Sequence, residues 1–220
     1  MKYLENILFG NRSKAGSKAD VPEVKVDSSK IYTIPDFLNS EDCEKLIDYH
    51  KRNVTFKNSD QRQYYNDRVL AYPYIPSDHP VKAILRDCRT RTFEKLEELY
   101  GEKEIYCGYT HLVRWPDGMA LNMHRDFSYQ VYTAVLYLND GYEGGELLFY
   151  RPKKPMKIAP EKGMLVIFPN PNHTLHGVAE IKGGDRYTMP MWFTYDESKG
   201  EGEISFPPIR DAEIRKSCID

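Results

Sequence analysis

At 220 residues, 40% of them hydrophobic, the chain is long enough for one domain with a real core. Its 31 basic and 33 acidic residues leave a net charge of −2, which excludes the global basic field that draws proteins onto nucleic acid or anionic membranes. No apolar run is long enough to cross a bilayer, and the short apolar patch at residues 7–9 lacks the length of a secretory signal. Four scattered cysteines (Cys43, Cys88, Cys107 and Cys218), none in a C-x-x-C pair, point to free thiols in a reducing, cytoplasmic setting rather than to a zinc or dithiol site. The 17 tyrosines, with 14 glycines and 14 prolines, favour short strands joined by turns.

Residues 11–25 are polar, small and lysine-rich without periodicity, so residues 1–29 are expected to form a partly flexible tail and residues 30–220 one domain. Residues 31–34 predict a strand ended by Pro35. Ser40, followed by Glu41 and Asp42, predicts a helix N-terminus, and Cys43, Leu46, Ile47 and His50 give that helix one buried face with His50 at its rim. Residues 53–68 read as a polar loop and 68–72 as a strand stopped by Pro73. A second helix is predicted over 78–100, opened by Ser77 or Asp78 with Pro80 in its first turn and closed by Gly101. Beyond it come eight short strands, at about 105–114, 120–123, 131–138, 146–150, 156–158, 164–168, 174–180 and 186–195, separated by Gly, Pro, Asn and Asp turns. Helices followed by eight strands predict an α+β fold, with an antiparallel jelly-roll core over about 105–196 supported by N-terminal helices.

Chemistry enters with LNMHRDFS at 121–128. At a strand end, residues two apart project to the same side, so His124 and Asp126 can reach one point. A third ligand is available downstream in PNPNHTLHGV, as His173 or His176. Two histidines and one carboxylate make the facial triad of non-haem Fe(II) oxygenases, which leaves positions open for other ligands. Ten residues after His176, across a Lys-Gly-Gly-Asp hairpin turn, stands Arg186. A guanidinium beside a metal suits the far carboxylate of a dicarboxylic acid.

The motifs VRWPDGMALNMHRDF, TAVLYLND, EGGELLFY, APEKGMLVIFPN and LHGVAEIKGGDRYTMPMWF, in that order and spacing, resemble the 2-oxoglutarate/Fe(II) dioxygenases of the prolyl 4-hydroxylase group. The opening YTIPDFLNSEDCEKLI is similar to the entry of that domain. The resemblance implies a double-stranded β-helix (jelly-roll, cupin-like) core. It implies His124, Asp126 and His176 as iron ligands, and favours His176 over His173. It further implies Arg186 and Tyr137 on the distal carboxylate of 2-oxoglutarate, and Trp192 lining the site. Trp115 stands where the group often has a tyrosine near the cosubstrate, and an indole cannot replace a phenol. Asn122, two residues before His124, is a candidate contact to cosubstrate or substrate. The cofactors implied are Fe(II), 2-oxoglutarate and O2, with ascorbate as reductant.

The implied activity is hydroxylation with release of succinate and CO2. A carboxylate at position 126 fits hydroxylation, because related halogenases leave that position empty. A peptide or protein proline is the leading substrate, with Tyr64, Tyr65, Arg68, Phe127 and Tyr129 as candidate contacts. A free amino acid, another protein side chain or a small metabolite is the alternative within the class. A non-catalytic metal-binding interaction module is the alternative outside it.

Overall fold

The computed structural model describes residues 30–53, 68–151, 155–170 and 174–201. The predicted tail, the loop at 53–68 apart from its ends, and Cys218 lie outside these residues. Strand β1 (Tyr32–Ile34) leads into helix α1 (Ser40–Asn53), then β2 (Val69–Ala71), a 3-10 turn (Tyr72–Tyr74) and helix α2 (Pro80–Tyr100). Next come β3 (Tyr106–Trp115), β4 (Leu121–His124), β5 (Tyr132–Tyr137), β6 (Glu143–Gly144) and β7 (Leu147–Phe149). They are followed by β8 (Met156–Ile158), β9 (Leu165–Pro169), β10 (His176–Val178), β11 (Ile181–Lys182) and β12 (Arg186–Thr194). All eight predicted strands of the C-terminal half are present. The additional β6 and β11, of two residues each, pair only with each other and are too short to carry a sequence period.

The larger sheet has the order β1-β9-β5-β12-β3-β2 and the smaller β4-β10-β7-β8. From β3 onward the chain visits the large sheet, the small, the large, the small twice, the large, the small and the large again. With every pair antiparallel, that path is the predicted jelly roll. Period-2 alternation divides each central strand of the large sheet between two environments. On β12, Tyr187, Met189, Met191 and Phe193 join Leu46, Leu85 and Leu96 of the two helices in one apolar layer. Arg186, Thr188, Pro190 and Trp192 face the opposite way, into the space between the sheets. Burying each leucine or phenylalanine of these layers contributes about 2 kcal/mol. The helices therefore clamp the outer face of the sheet whose inner face carries the polar residues.

Both helices begin as the sequence indicates, but on different caps. Asn39, not Ser40, caps α1, its Oδ1 accepting from the Asp42 backbone N–H at 2.8 Å. His79, not Ser77 or Asp78, caps α2, its Nδ1 accepting from Val81 N–H. Gly101 closes α2 in the left-handed region, as predicted. His50 is 1% exposed and belongs to the core rather than its rim. Its Nε2–H donates to the Arg68 carbonyl at 2.9 Å, and its ring meets Tyr187 edge-on. That hydrogen bond is what allows an imidazole to be buried there. Cys43, Cys88 and Cys107 are free and buried. Among the described residues no helix is long and apolar enough to cross a membrane.

Candidate active site

The smaller sheet brings two histidines face to face. His176 on β10 is the register partner of His124 on β4, and their rings lie 4.4 Å apart between centroids. Gly177 lets β10 come this close: a Cβ there would sit 2.7 Å from the Leu121 carbonyl. Asp126, just past the end of β4, completes the group, and the ligand atoms of the three side chains lie within 4.8 Å of one another. Asp126 Oδ1 is 3.5 Å from His124 Nε2, and Oδ2 is 3.7 Å from His176 Nε2.

The hydrogen bonds around these residues fix which atoms point inward. His124 Nδ1 lies 3.0 Å from the Asn122 carbonyl, and His176 Nδ1 lies 3.3 Å from the Thr174 carbonyl. A carbonyl only accepts, so both Nδ1 atoms carry the proton and both Nε2 lone pairs face the shared point. Burial pushes His176 towards the neutral ring, with His124 acting in the same direction and Asp126 opposing. Asp126 Oδ2 accepts from Thr133 Oγ1 at 2.7 Å, Asn170 Nδ2 at 2.6 Å and Trp192 Nε1 at 3.3 Å. Burial raises its carboxyl, but the Thr133 hydroxyl, together with His124 and His176 when those rings are protonated, outweighs burial and holds it below the ordinary carboxylate range.

Farther along the same cavity stands Arg186, 2% exposed. Its guanidinium carbon lies 5.0 Å from the Tyr137 ring centre and 5.3 Å from that of Trp115. Arg186 Nε and the hydroxyls of Tyr137 and Tyr142 are buried without a hydrogen-bond partner. No described carboxylate makes an ion pair with Arg186, so the surface salt bridge that a hairpin-end arginine usually makes is absent here. Burial raises both phenols, against the pull of Arg186. Gly145, at φ +66°, makes room: a Cβ there would meet the Tyr142 ring at 2.8 Å and Arg186 Cδ at 3.1 Å.

Residues 110–194, which hold all of these metal-facing groups and Arg186, match the 2OG-Fe(II) oxygenase superfamily. Residues 110–194 form a 2OG-Fe(II) oxygenase domain. A PKHD-type hydroxylase of Parvibaculum lavamentivorans is 34% identical over 116 residues, which are 50% of this chain and 47% of that protein. Prolyl 3-hydroxylase 3 of Mus musculus is 32% identical over 80 residues, 35% of this chain and 11% of that protein. The chain thus spans about a tenth of the one relative and about half of the other. In fold, it is similar to a prolyl hydroxylase from Trichoplax adhaerens solved with a hypoxia inducible factor peptide fragment. The TM-score is 0.59 at 20% identity, covering 77% of this chain and 84% of that one.

The oxygenase superfamily uses Fe(II), 2-oxoglutarate and O2, and the domain fits both non-gaseous groups. Two imidazole nitrogens and a carboxylate are the donor set for Fe(II). The unpartnered guanidinium nitrogen and two phenols are donors whose chemistry suits an anion such as a carboxylate.

Of the other predicted site residues, Trp115 and Trp192 both line the cavity of the oxygenase domain. Trp115 Nε1 donates to Thr188 Oγ1 at 3.2 Å, so its N–H is used within the protein and its ring walls the Arg186 corner. Asn122 is brought near His124 only through its carbonyl; its residue is exposed and does not line the cavity. Arg68 Nη1 lies against Met119 Sδ, and Phe127 and Tyr129 stack on each other at 5.5 Å; none of the three lines the cavity. Tyr64, Tyr65 and His173 lie outside the described residues. Four residues escaped the sequence reading: Thr133 and Asn170 on Asp126, Tyr142 beside Arg186, and His111 on the cavity wall. Thr133 shares a strand face with Tyr137, and Asn170 ends the FPN motif, so both stood beside recognisable signals.

Proposed function

We propose that the chain is an Fe(II)- and 2-oxoglutarate-dependent hydroxylase of a peptide or protein residue, with proline as the leading target, and that residues 30–220 act as one catalytic domain. One observation carries the reading: His124, Asp126 and His176 converge within 4.8 Å in the same cavity as a buried Arg186 that has no carboxylate partner among the described residues. The bound iron and cosubstrate supply the oxidising power: 2-oxoglutarate, O2 and a substrate C–H give succinate, CO2 and an alcohol.

The protein's own part is to place and protect. His124 and His176 present Nε2 lone pairs, held in that tautomer by backbone carbonyls. Asp126 offers its carboxylate, oriented by Thr133, Asn170 and Trp192. Arg186, with Tyr137 and Tyr142, would hold the distal carboxylate of 2-oxoglutarate. Val113, Val135, Leu147, Phe168 and Val178 keep the walls apolar and exclude water from the reacting groups. The prolyl hydroxylase names among the relatives, and the peptide bound to the Trichoplax enzyme, support a substrate presented within a polypeptide. Iron-dependent conversion of 2-oxoglutarate to succinate by the purified protein tests the reading. The same rate in Asp126→Ala would sink it.

A further inference from the structure

The cavity continues past the metal-facing residues. Along β12 its wall runs from Arg186 through Thr188 and Pro190 to Trp192. On the neighbouring strand Trp115 is opposite Arg186, Val113 opposite Thr188, and Thr110 opposite Met191. His111 therefore stands at the level of Pro190 and Trp192, at the end of the wall away from Arg186. Its ring lies 5.5 Å from Trp192, the residue whose indole reaches Asp126.

His111 is 5% exposed, and its Nε2 is buried with no hydrogen-bond partner. Burial pushes the imidazole down to about 4, so it is neutral in ordinary conditions. The other polar side chains on the wall are occupied. Thr133 and Trp192 hold Asp126, Trp115 donates to Thr188, and the two remaining histidines face the metal point. Val69, Val113, Val135 and Pro190 line the same cavity as His111. A buried nitrogen kept without a partner is costly unless something that enters the cavity satisfies it.

We propose that His111 is a substrate-orienting residue, whose Nε2 makes one hydrogen bond to an uncharged amide group of a residue held within a peptide. The proposal rests on the hydroxylase reading and narrows it. A free amino acid would bring an ammonium and a carboxylate. The charged side chains among the described wall residues are Asp126 and Arg186, and both are already used. A proline inside a chain has no N–H and offers only carbonyls to hydrogen bonding. For that substrate Nε2 carries the proton and donates to a backbone carbonyl next to the oxidised ring, while the valines and Pro190 receive its methylenes.

The test uses the full chain loaded with Zn(II), which is diamagnetic and redox-silent, and 2-oxoglutarate. The probe is N-acetyl-L-proline methylamide, neutral at both ends, compared with free L-proline. Binding is read from tryptophan fluorescence and from the 15N resonances of the histidine side chains, with His111 assigned as the signal absent in His111→Gln. The blocked amide is expected to shift the His111 Nε2 resonance and to bind more tightly than free L-proline by roughly tenfold or more. His111→Ala should weaken it by roughly three- to tenfold, as for one lost neutral hydrogen bond. His111→Gln, which keeps an N–H donor, should restore most of that loss.

Equal or tighter binding of free L-proline overturns the proposal. So does unchanged affinity in His111→Ala, failure of Gln to rescue, or a blocked amide that shifts no histidine resonance. If a substitution unfolds the protein, the wild-type spectra still decide, because a blocked amide that shifts no histidine resonance overturns the proposal without any assignment. Iron-dependent succinate release by the unmodified protein checks the hydroxylase reading separately. Its absence would remove that reading while leaving the binding result to stand or fall alone.

Discussion

The two corners of the cavity are built on opposite principles. At the metal corner the protein satisfies its own polar atoms: each Nδ1 has a carbonyl, and Asp126 Oδ2 has three donors. Only the lone pairs aimed at the shared point remain. At the Arg186 corner Nε and two phenol hydroxyls are buried without a hydrogen-bond partner, and the interaction they share is the pull of Arg186 on both phenols. The first corner is pre-organised to hold an ion in fixed geometry, while the second is left for an anion to complete. Buried polar groups without partners oppose stability, so the Arg186 corner costs the free protein stability that, on the proposed function, a bound dicarboxylate would restore.

The strongest way to break this contrast is at Asp126. Asp126→Ala should lower Fe(II) affinity by at least about a hundredfold and abolish succinate release, measured by metal titration and product assay. Arg186→Ala should raise the KM for 2-oxoglutarate by roughly ten- to a thousandfold, with Fe(II) affinity nearly unchanged. The contrast sharpens with Arg186→Met, an apolar side chain of similar length. In thermal denaturation without cosubstrate this variant should be as stable as wild type or more so, by about 1 kcal/mol or more. A large loss of stability there would show that the guanidinium is held by partners of its own. Asn170→Ala and Thr133→Val act on the other corner. Each should weaken iron by roughly tenfold, and by up to a hundredfold, with little change in the KM for 2-oxoglutarate.

Those four residues also show how much the sequence discloses. His124, Asp126 and Arg186 are legible because the strand period tells which way each points. The hairpin expected between His176 and Arg186 does not form: β10 lies in the smaller sheet and β12 in the larger, so the two residues reach the cavity from different sheets. The alternation of β12 between Arg186, Thr188, Pro190, Trp192 and Tyr187, Met189, Met191, Phe193 separates the cavity wall from the helix-facing layer in the structure, whereas the sequence singles out only Arg186 and Trp192 on that strand. Thr133 and Asn170 are not legible, because they reach Asp126 across 7 and 44 residues of chain and only sheet pairing brings them together. Tyr142 sits in a turn ahead of two glycines with positive φ, where no period operates. The helix caps moved by a residue or two because neighbouring polar side chains compete for the same N–H groups, and backbone geometry decides between them. His50 went from rim to core because its partner, the Arg68 carbonyl, lies on the next element.

Smaller effects come from the phenols. Tyr137→Phe and Tyr142→Phe should each raise the KM for 2-oxoglutarate by roughly two- to tenfold, less than a full hydrogen bond to a charged group, because Arg186 and the other phenol still hold the carboxylate. An effect from Tyr137 alone would mean that Tyr142 packs beside Arg186 without touching the ligand.

The smallest effects extend the same contrast to buried histidines that have and lack a partner. Burial pushes both His50 and His111 down to about 4, although His50 donates to a carbonyl and His111 Nε2 meets nothing. In the unfolded chain each takes a proton near pH 6.5, while in the folded protein neither does until about pH 4. Stability of the metal-free protein should therefore fall as pH drops from 6.5 towards 4, by up to about 1.4 kcal/mol per pH unit for each ring. Glu201, pushed up to about 8 by burial against the pull of Arg89 and Lys82, works the other way. It keeps its proton when folded but loses it near pH 4.5 when unfolded, so it lowers stability as pH rises from 4.5 to 8. His50 and His111, joined in the metal-free protein by His176, which burial also pushes down, outweigh one glutamate below pH 6.5, and above it the glutamate opposes stability, so these groups place the maximum near pH 6.5. His50→Gln, whose amide N–H still reaches the Arg68 carbonyl, removes one proton from the acid limb and should flatten it in urea denaturation. An acid limb of unchanged slope would mean that His50 is protonated in the folded protein, and that a carbonyl partner matters more to a buried imidazole than burial does.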